Sequence, residues 1–220
     1  MGMTATDFLF DSLEEEISSG KMGPGFALRQ DEIAKRFDVS RIPVREALLR
    51  LESAGLISIK SNRGAYVIEM NQQEIKEVYD LRILLECDVL SKAIPKMTAQ
   101  DIENIRHAAT LAELGEHKPN WKKLDKEFHF SLYCPAGQKR QLSIIDGLRN
   151  TSRWYRSAYN SLPHNLGDFL KEHWLLVEAC QAGDVERGVE ILRTHLERAA
   201  MIVLDNAPAA GNLRGDASAG

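Results

Sequence analysis

Long apolar runs are missing from this chain of 220 residues. Nowhere do about 18 apolar residues stand together, so a membrane span is not expected. The first residues lack a basic segment followed by an apolar stretch, which argues against a secretory signal. The chain is read as soluble and cytoplasmic. Cysteine is scarce too: Cys87, Cys134 and Cys180 lie far apart with no CxxC pair. That spacing excludes a disulfide frame or a thiolate metal site and suits a reducing compartment, with all three read as buried thiols. No His-Glu-x-x-His motif occurs, so the positioned general base that a zinc hydrolase needs has no obvious source. Glu127 and Glu172, each adjacent to a core-facing residue, are expected to point away from the interior. An excess of positive charge is also lacking, since the formal net charge is -4. A nucleic-acid binder needs local Lys and Arg rather than a basic total. Between Arg29 and Arg63 there are eight Lys or Arg against five acids. This window is basic in an acidic chain.

What is present is helical periodicity broken once by a hairpin pattern. Leu9, Leu13 and Ile17 recur every four positions and mark a helix from Asp7 that ends at Gly20. Gly23-Pro24-Gly25 turns the chain, and Ile33, Ala34 and Phe37 give a short helix closed by Asp38 and Val39. Ser40 suits the cap of the next helix, its hydroxyl accepting from an otherwise unpaired backbone N–H. That helix turns Val44, Leu48 and Leu51 inward, while Arg41 and Arg45, four apart, share another face. Pro43 is tolerated in its first turn. Ile57-Ser58-Ile59 and Ala65-Tyr66-Val67-Ile68 read as two strands joined by a turn at Ser61-Asn62-Arg63-Gly64. Together these form a winged helix-turn-helix over residues 1–70.

A recognition helix lays its N-terminal turn in the major groove, where an Arg can grip guanine O6 and N7. Ser40, Arg41 and Arg45 are placed for this, and Arg63 beside Gly64 could reach a flanking groove. On pattern alone, a solvated face with two arginines is the commoner outcome. The run Val39-Ser40-Arg41-Ile42-Pro43-Val44-Arg45-Glu46-Ala47-Leu48, with Pro24-Gly25 before it and Gly55-Leu56-Ile57 and Arg63-Gly64 after it, closely resembles the GntR family of bacterial regulators. The resemblance covers roughly residues 9 to 68. It implies that Ser40, Arg41, Arg45 and the wing at Arg63-Gly64 contact double-stranded DNA. One position departs from it. Family members often carry an Arg where this chain has Asp31, in Arg29-Gln30-Asp31-Glu32. An aspartate cannot hold a phosphate, so either Arg29 or Lys35 compensates or one contact is lost.

From Asn71, a capping box with Glu74 is expected to open an all-helical region over residues 71–205. Its helices are expected from Asn71 to about Pro95, from Thr98 to near Gly115, over 121–133, 142–159 and 168–181, and over 185–203. Residues 206–220, rich in Ala, Gly and Asn, read as a disordered tail. The fold class is therefore mainly α: a winged helix-turn-helix followed by an antiparallel helical bundle.

Asp125 and His129, four apart, project from one side of a helix. His129 shares the stripe of Leu132 and Tyr133, His173 that of Leu176 and Val177, and His195 that of Ile191 and Leu192. Singly, each imidazole is more often a satisfied core residue. Converging in one apolar core they need a partner, and a divalent cation supplies it. Three imidazoles and a carboxylate suit zinc first, then nickel or manganese. Beyond Asn71 the spacing resembles the FCD ligand-binding domain of the FadR subfamily, through Asp125-x-x-Phe128-His129, Glu172-His173, and Gly183-Asp184 followed by His195. The resemblance implies that these four residues hold a metal and that a small organic acid completes its coordination. Arg82, with Arg149, Arg153 or Arg156, could grip the acid's other oxygens. It also implies a repressor acting as a homodimer on an inverted-repeat operator. Two alternatives stand beside this: a metal that is purely structural or is itself the signal, and a metalloenzyme with an Asp-His-His-His site.

Overall fold

The computed structural model describes residues 3–61, 63–115, 121–151 and 163–206. The chain begins with α1 (Ala5–Ser18), whose first turn is closed by Thr4 and Asp7 in a reciprocal capping box. Strand β1 (Ala27–Leu28) follows, then α2 (Gln30–Phe37) and α3 (Arg41–Ser53). Strands β2 (Ile57–Lys60) and β3 (Gly64–Val67) complete the first part. The expected hairpin is thus an antiparallel three-stranded sheet in the order β1-β3-β2. Two residues are too few to show a period of two, which is why β1 left no pattern to read.

Two local details separate expectation from structure. Ser40 is the N-cap residue of α3, but its hydroxyl makes no capping bond. The usual donor three residues on is Pro43, which has no N–H. Gly64 has φ +95, and no atom lies within 4 Å of where its Cβ would be. Backbone conformation, not crowding, calls for glycine at the wing.

The remaining elements are helical: α4 (Gln72–Ala93), α5 (Ala99–Leu114), α6 (Trp121–Tyr133), α7 (Lys139–Thr151), α8 (Pro163–Ala182) and α9 (Val185–Asn206), with short 3-10 turns at Ile94–Lys96 and Cys134–Ala136. Asn71 with Glu74 and Thr98 with Asp101 form the capping boxes of α4 and α5. Asp184 accepts from the Arg187 N–H at the start of α9. At Gly188, α9 lies against α4 so closely that a Cβ would meet Ile94 Cδ1 at 2.8 Å. α7 starts three residues before the expected Leu142. The rest of its expected span, and residues 207–220 of the tail expected over 206–220, lie outside the described residues, while Asn206 ends α9. Cys87 and Cys180 are buried as expected, but Cys134 is exposed because it begins a surface 3-10 turn.

The apolar interior falls into two clusters. The first gathers Leu9 and Leu13 of α1, Val44, Leu48 and Leu51 of α3, and Ile57 and Val67 of the sheet. It does not stop at residue 70: Ile75 and Tyr79 of α4, Phe169 of α8, and Ala199, Ile202 and Val203 of α9 belong to it. The second gathers Val89 and Leu90 of α4, Ile105 of α5, Phe128 and Leu132 of α6, Ile145 of α7, Leu176 of α8, and Leu192 and Leu196 of α9. Each of α4, α8 and α9 therefore runs through both clusters.

Candidate metal centre and DNA-reading surface

Where these three helices pass from one cluster to the other, they carry buried polar side chains. Arg82 and Glu86 lie between Tyr79 and Val89, Glu172 and His173 between Phe169 and Leu176, and His195 between Leu192 and Ala199. With His129 of α6 they form a polar layer in an otherwise apolar interior.

The three imidazoles meet in this layer. Their ring centroids are 5.1 to 5.3 Å apart, and one nitrogen of each lies within 4.8 Å of the others'. Asp125, less buried, places Oδ1 3.6 Å from Nε2 of both His129 and His173. Burial, with the nearby Arg149 charge and the other histidines, pushes His129 and His173 well below the ordinary value of 6.5. Both are neutral near pH 7, which is the ligating form.

Hydrogen bonds select the ligating nitrogen in two of the rings. Tyr133 donates to Glu86 Oε2 at 2.7 Å, so its oxygen accepts from His129 Nδ1 at 3.2 Å. His195 Nδ1 donates to Glu172 Oε2 at 2.9 Å, and Arg198 holds the other Glu172 oxygen at 3.0 Å. In each ring the hydrogen bond engages Nδ1 and leaves Nε2 for an ion, the arrangement by which outer carboxylates and hydroxyls orient metal-bound histidines. Among the described residues, neither nitrogen of buried His173 has a hydrogen-bond partner. A buried polar atom left this way costs free energy unless something binds it. The donor set fits a divalent ion such as zinc: Asp125, His129, His173 and His195 would hold it, and it would supply a Lewis-acidic position for an oxygen ligand.

Glu172 corrects the expectation that it points away. Its position next to His173 sets it off the inward stripe, yet its long side chain reaches His195 on the neighbouring helix. Glu86 was missed altogether. It is fully buried, receives Arg82 Nε and Arg149 Nη1 at 2.8 Å each, and sits four residues after Arg82, the one signal that could have pointed to it. Burial would raise its carboxyl, but the two guanidiniums outweigh this and hold it below the usual range. Arg149 also reaches Asp125 Oδ2 at 3.1 Å. The expected effector arginines Arg82 and Arg149 thus meet at the layer, each already on a carboxylate. Arg153 and Arg156 lie outside the described residues.

The other group of expected residues lies at the opposite extreme of burial. Arg41, Arg45 and Ser40 are exposed at the start of α3, and Arg29, Lys35, Arg63 and Gly64 are exposed on α2 and the wing. Ile42, unremarked in the sequence, is 71% exposed between them. Asp31 meets Arg41 Nε, and Glu32 lies 3.4 Å from Arg29 Nη1.

Two family patterns match this chain. That described as "Bacterial regulatory proteins, gntR family" covers residues 5–67, and the "FCD domain" covers residues 77–198. The chain belongs to the GntR family, in its FCD-bearing branch. Among its relatives, the HTH-type transcriptional repressor RspR of Escherichia coli K12 is 28% identical over 195 residues, 86% of this chain and 84% of RspR. BphR of Paraburkholderia xenovorans LB400, described as an uncharacterized HTH-type transcriptional regulator, is 27% identical over 206 residues, 88% of this chain and 83% of BphR. The solved structure of E. coli McbR/YncC superposes with a TM-score of 0.76 at 22% identity, covering 93% of this chain and 99% of that one, and shows the same fold. GntR-family, FCD-bearing proteins of this kind are transcriptional regulators rather than enzymes. No helix among the described residues is long and apolar enough to cross a membrane.

Proposed function

We propose that this regulator binds an operator through α3 and the wing, and that a divalent metal with an organic acid in the buried layer controls that binding. The observation that carries the reading is His173, buried between two other imidazoles with no hydrogen bond to either ring nitrogen among the described residues and only the Asp125 carboxylate near Nε2, at 3.6 Å. Asp125, His129, His173 and His195 are the proposed ligands, with zinc the first choice. Arg82, Arg149 and Arg198 balance Glu86, Asp125 and Glu172 in charge, so a divalent ion would make the layer positive, and an anionic effector offsets this. Ser40, Arg41, Arg45, Arg63 and Gly64 are the proposed DNA contacts, with Arg29 and Lys35 toward phosphates. The unused Ser40 hydroxyl and the open N-terminus of α3 suit a phosphate oxygen, and exposed Ile42 suits a thymine methyl group. A cytoplasmic homodimer on an inverted repeat, acting as a repressor, completes the proposal.

The route between the two ends is physical contact. Phe169 meets the His195 ring edge-on at 5.0 Å, and the Arg82 guanidinium lies over the Tyr79 ring at 4.8 Å. Phe169 and Tyr79 pack in the same cluster as Val44, Leu48 and Leu51 of α3. A shift in the layer therefore presses on the core that carries the reading helix.

Titration of the chelated chain with zinc and then with small carboxylic acids, following binding to DNA from upstream of its own gene, tests the proposal. An acid response that needs the metal supports it. No salt-sensitive binding to that DNA contradicts the regulator reading as a whole. A second reading, in which the metal is structural, is favoured by the carboxylate partners that both arginines already have. It predicts a response to zinc in stability and none to acids in DNA binding.

A further inference from the structure

The Arg41–Asp31 contact joins the first residue of α3 to the first turn of α2, with Nε 2.5 Å from Oδ1 and the side chains 73% and 68% exposed. Its exposure leaves it little part in stability, because water weakens such a pair without abolishing it. Its location is costly for another purpose. Asp31 and Arg41 lie on the surface offered to DNA, where a carboxylate repels every phosphate that approaches. A residue type that weakens binding to all sequences alike needs a compensating use.

The geometry of the contact supplies one. An arginine reads guanine with two parallel N–H groups aimed at O6 and N7. Asp31 engages Nε, on the inner edge of the guanidinium, which leaves the outer end with its two Nη groups for a base. A long, freely rotating side chain loses much rotamer freedom when it settles on one base. A side chain already held at Nε loses less, and only in one orientation. The same contact is desolvated when the helix enters the groove, where it strengthens.

We infer that Asp31 is a specificity-determining residue: it orients Arg41 toward a guanine, raising discrimination between operators while lowering affinity for DNA in general. This rests on the reading that Arg41 enters the major groove. It also gives a use to the acid at position 31, where the family resemblance raised the expectation of an arginine.

Selection of duplexes from a random pool by the full-length chain, its Arg41→Ala variant and its Asp31→Ala variant tests the inference. Preferred duplexes are then assayed against copies with single base changes and against a scrambled duplex, at several salt concentrations. The wild-type motif is expected to contain a G·C position that Arg41→Ala no longer selects. Asp31→Ala is expected to lose preference at that same position by about fivefold or more, a fraction of the discrimination a two-bonded arginine provides. Its binding to the scrambled duplex is expected to stay equal or tighten, and its melting temperature to stay unchanged. Asp31→Asn, which keeps the side chain's shape without its charge, should lose most of the preference as well, because the contact is between charges. If Asp31→Ala keeps every base preference and binds all duplexes more tightly, Asp31 is only a repulsive charge and the inference is overturned. Equal losses on both kinds of duplex overturn it as well. If Arg41→Ala selects the wild-type motif, the reading of α3 itself fails.

Discussion

The reading surface and the buried layer are both built from charged and polar residues, yet they obey opposite rules. On α2, α3 and the wing Arg29, Arg41, Arg45 and Arg63 stand in water, and Arg41 and Arg29 each meet one exposed carboxylate, Asp31 and Glu32. In the layer, Glu86 takes bonds from Arg82, Arg149 and Tyr133 at once, and Arg149 also reaches Asp125. Water makes the first set cheap to break and available to a partner. Exclusion of water makes the second set expensive to break and unable to change one member without disturbing the rest. The lesson is a division of labour: a surface that can be altered with little effect on folding, and an interior where binding and stability are one property.

The largest effect that could break this contrast is at Glu86. Glu86→Ala leaves two buried guanidiniums without the carboxylate they share, and a loss of about 3–5 kcal/mol is expected in urea unfolding of the chain. Arg45→Ala, on the exposed face of α3, should change stability by no more than about 0.5 kcal/mol. Comparable losses in the two variants would erase the distinction. Next is Glu172→Gln, which weakens the acceptor for His195 Nδ1. Metal affinity, followed by competition with a chromophoric chelator, should fall by about 10- to 100-fold, with the urea midpoint of the metal-free chain moving far less than in Glu86→Ala.

A smaller effect is set by pH. His129 and His173 are held well below 6.5 in the folded chain. Below that value the unfolded chain binds protons that the folded chain refuses, so stability rises with pH up to about 6.5 and is lost as pH falls beneath it. The urea midpoint of the metal-free chain should therefore drop between about pH 7.5 and about pH 5.5. A flat profile would mean that the imidazoles are not buried and neutral. The smallest effect is at the wing: Arg63→Ala should lower the salt dependence of DNA binding by about one charge, without altering base preference. A change in preference would make Arg63 a base contact and sharpen the surface's own division between positioning and reading.

The sequence was most legible where a single helix carried the information. Leu9, Leu13 and Ile17, or Val44, Leu48 and Leu51, announce their faces through spacing alone, and the structure buries all of them. The convergence of His129, His173 and His195 was legible for the same reason, since each sits on an apolar stripe. What spacing could not carry was contact between elements. Glu86 faces α6 and α7, and Glu172 faces α9, so their partners are 47 and 23 residues away in the chain. Asp31 could be seen as a departure from the family resemblance, but its pairing with Arg41 depends on the angle between α2 and α3. The extension of the first core past residue 70 depends on how α8 and α9 return to it, through Phe169, Ile202 and Val203. That return is a tertiary event with no local signature.

The proposed connection between layer and reading helix is tested most directly by hydrogen exchange on the full chain, before and after zinc is added to the chelated protein. Protection is predicted to rise in α6, α8 and α9, which carry the proposed ligands, and also in α3, through the core that Phe169 and Tyr79 share with Val44, Leu48 and Leu51. A rise confined to α6, α8 and α9, with α3 unchanged, would contradict the connection.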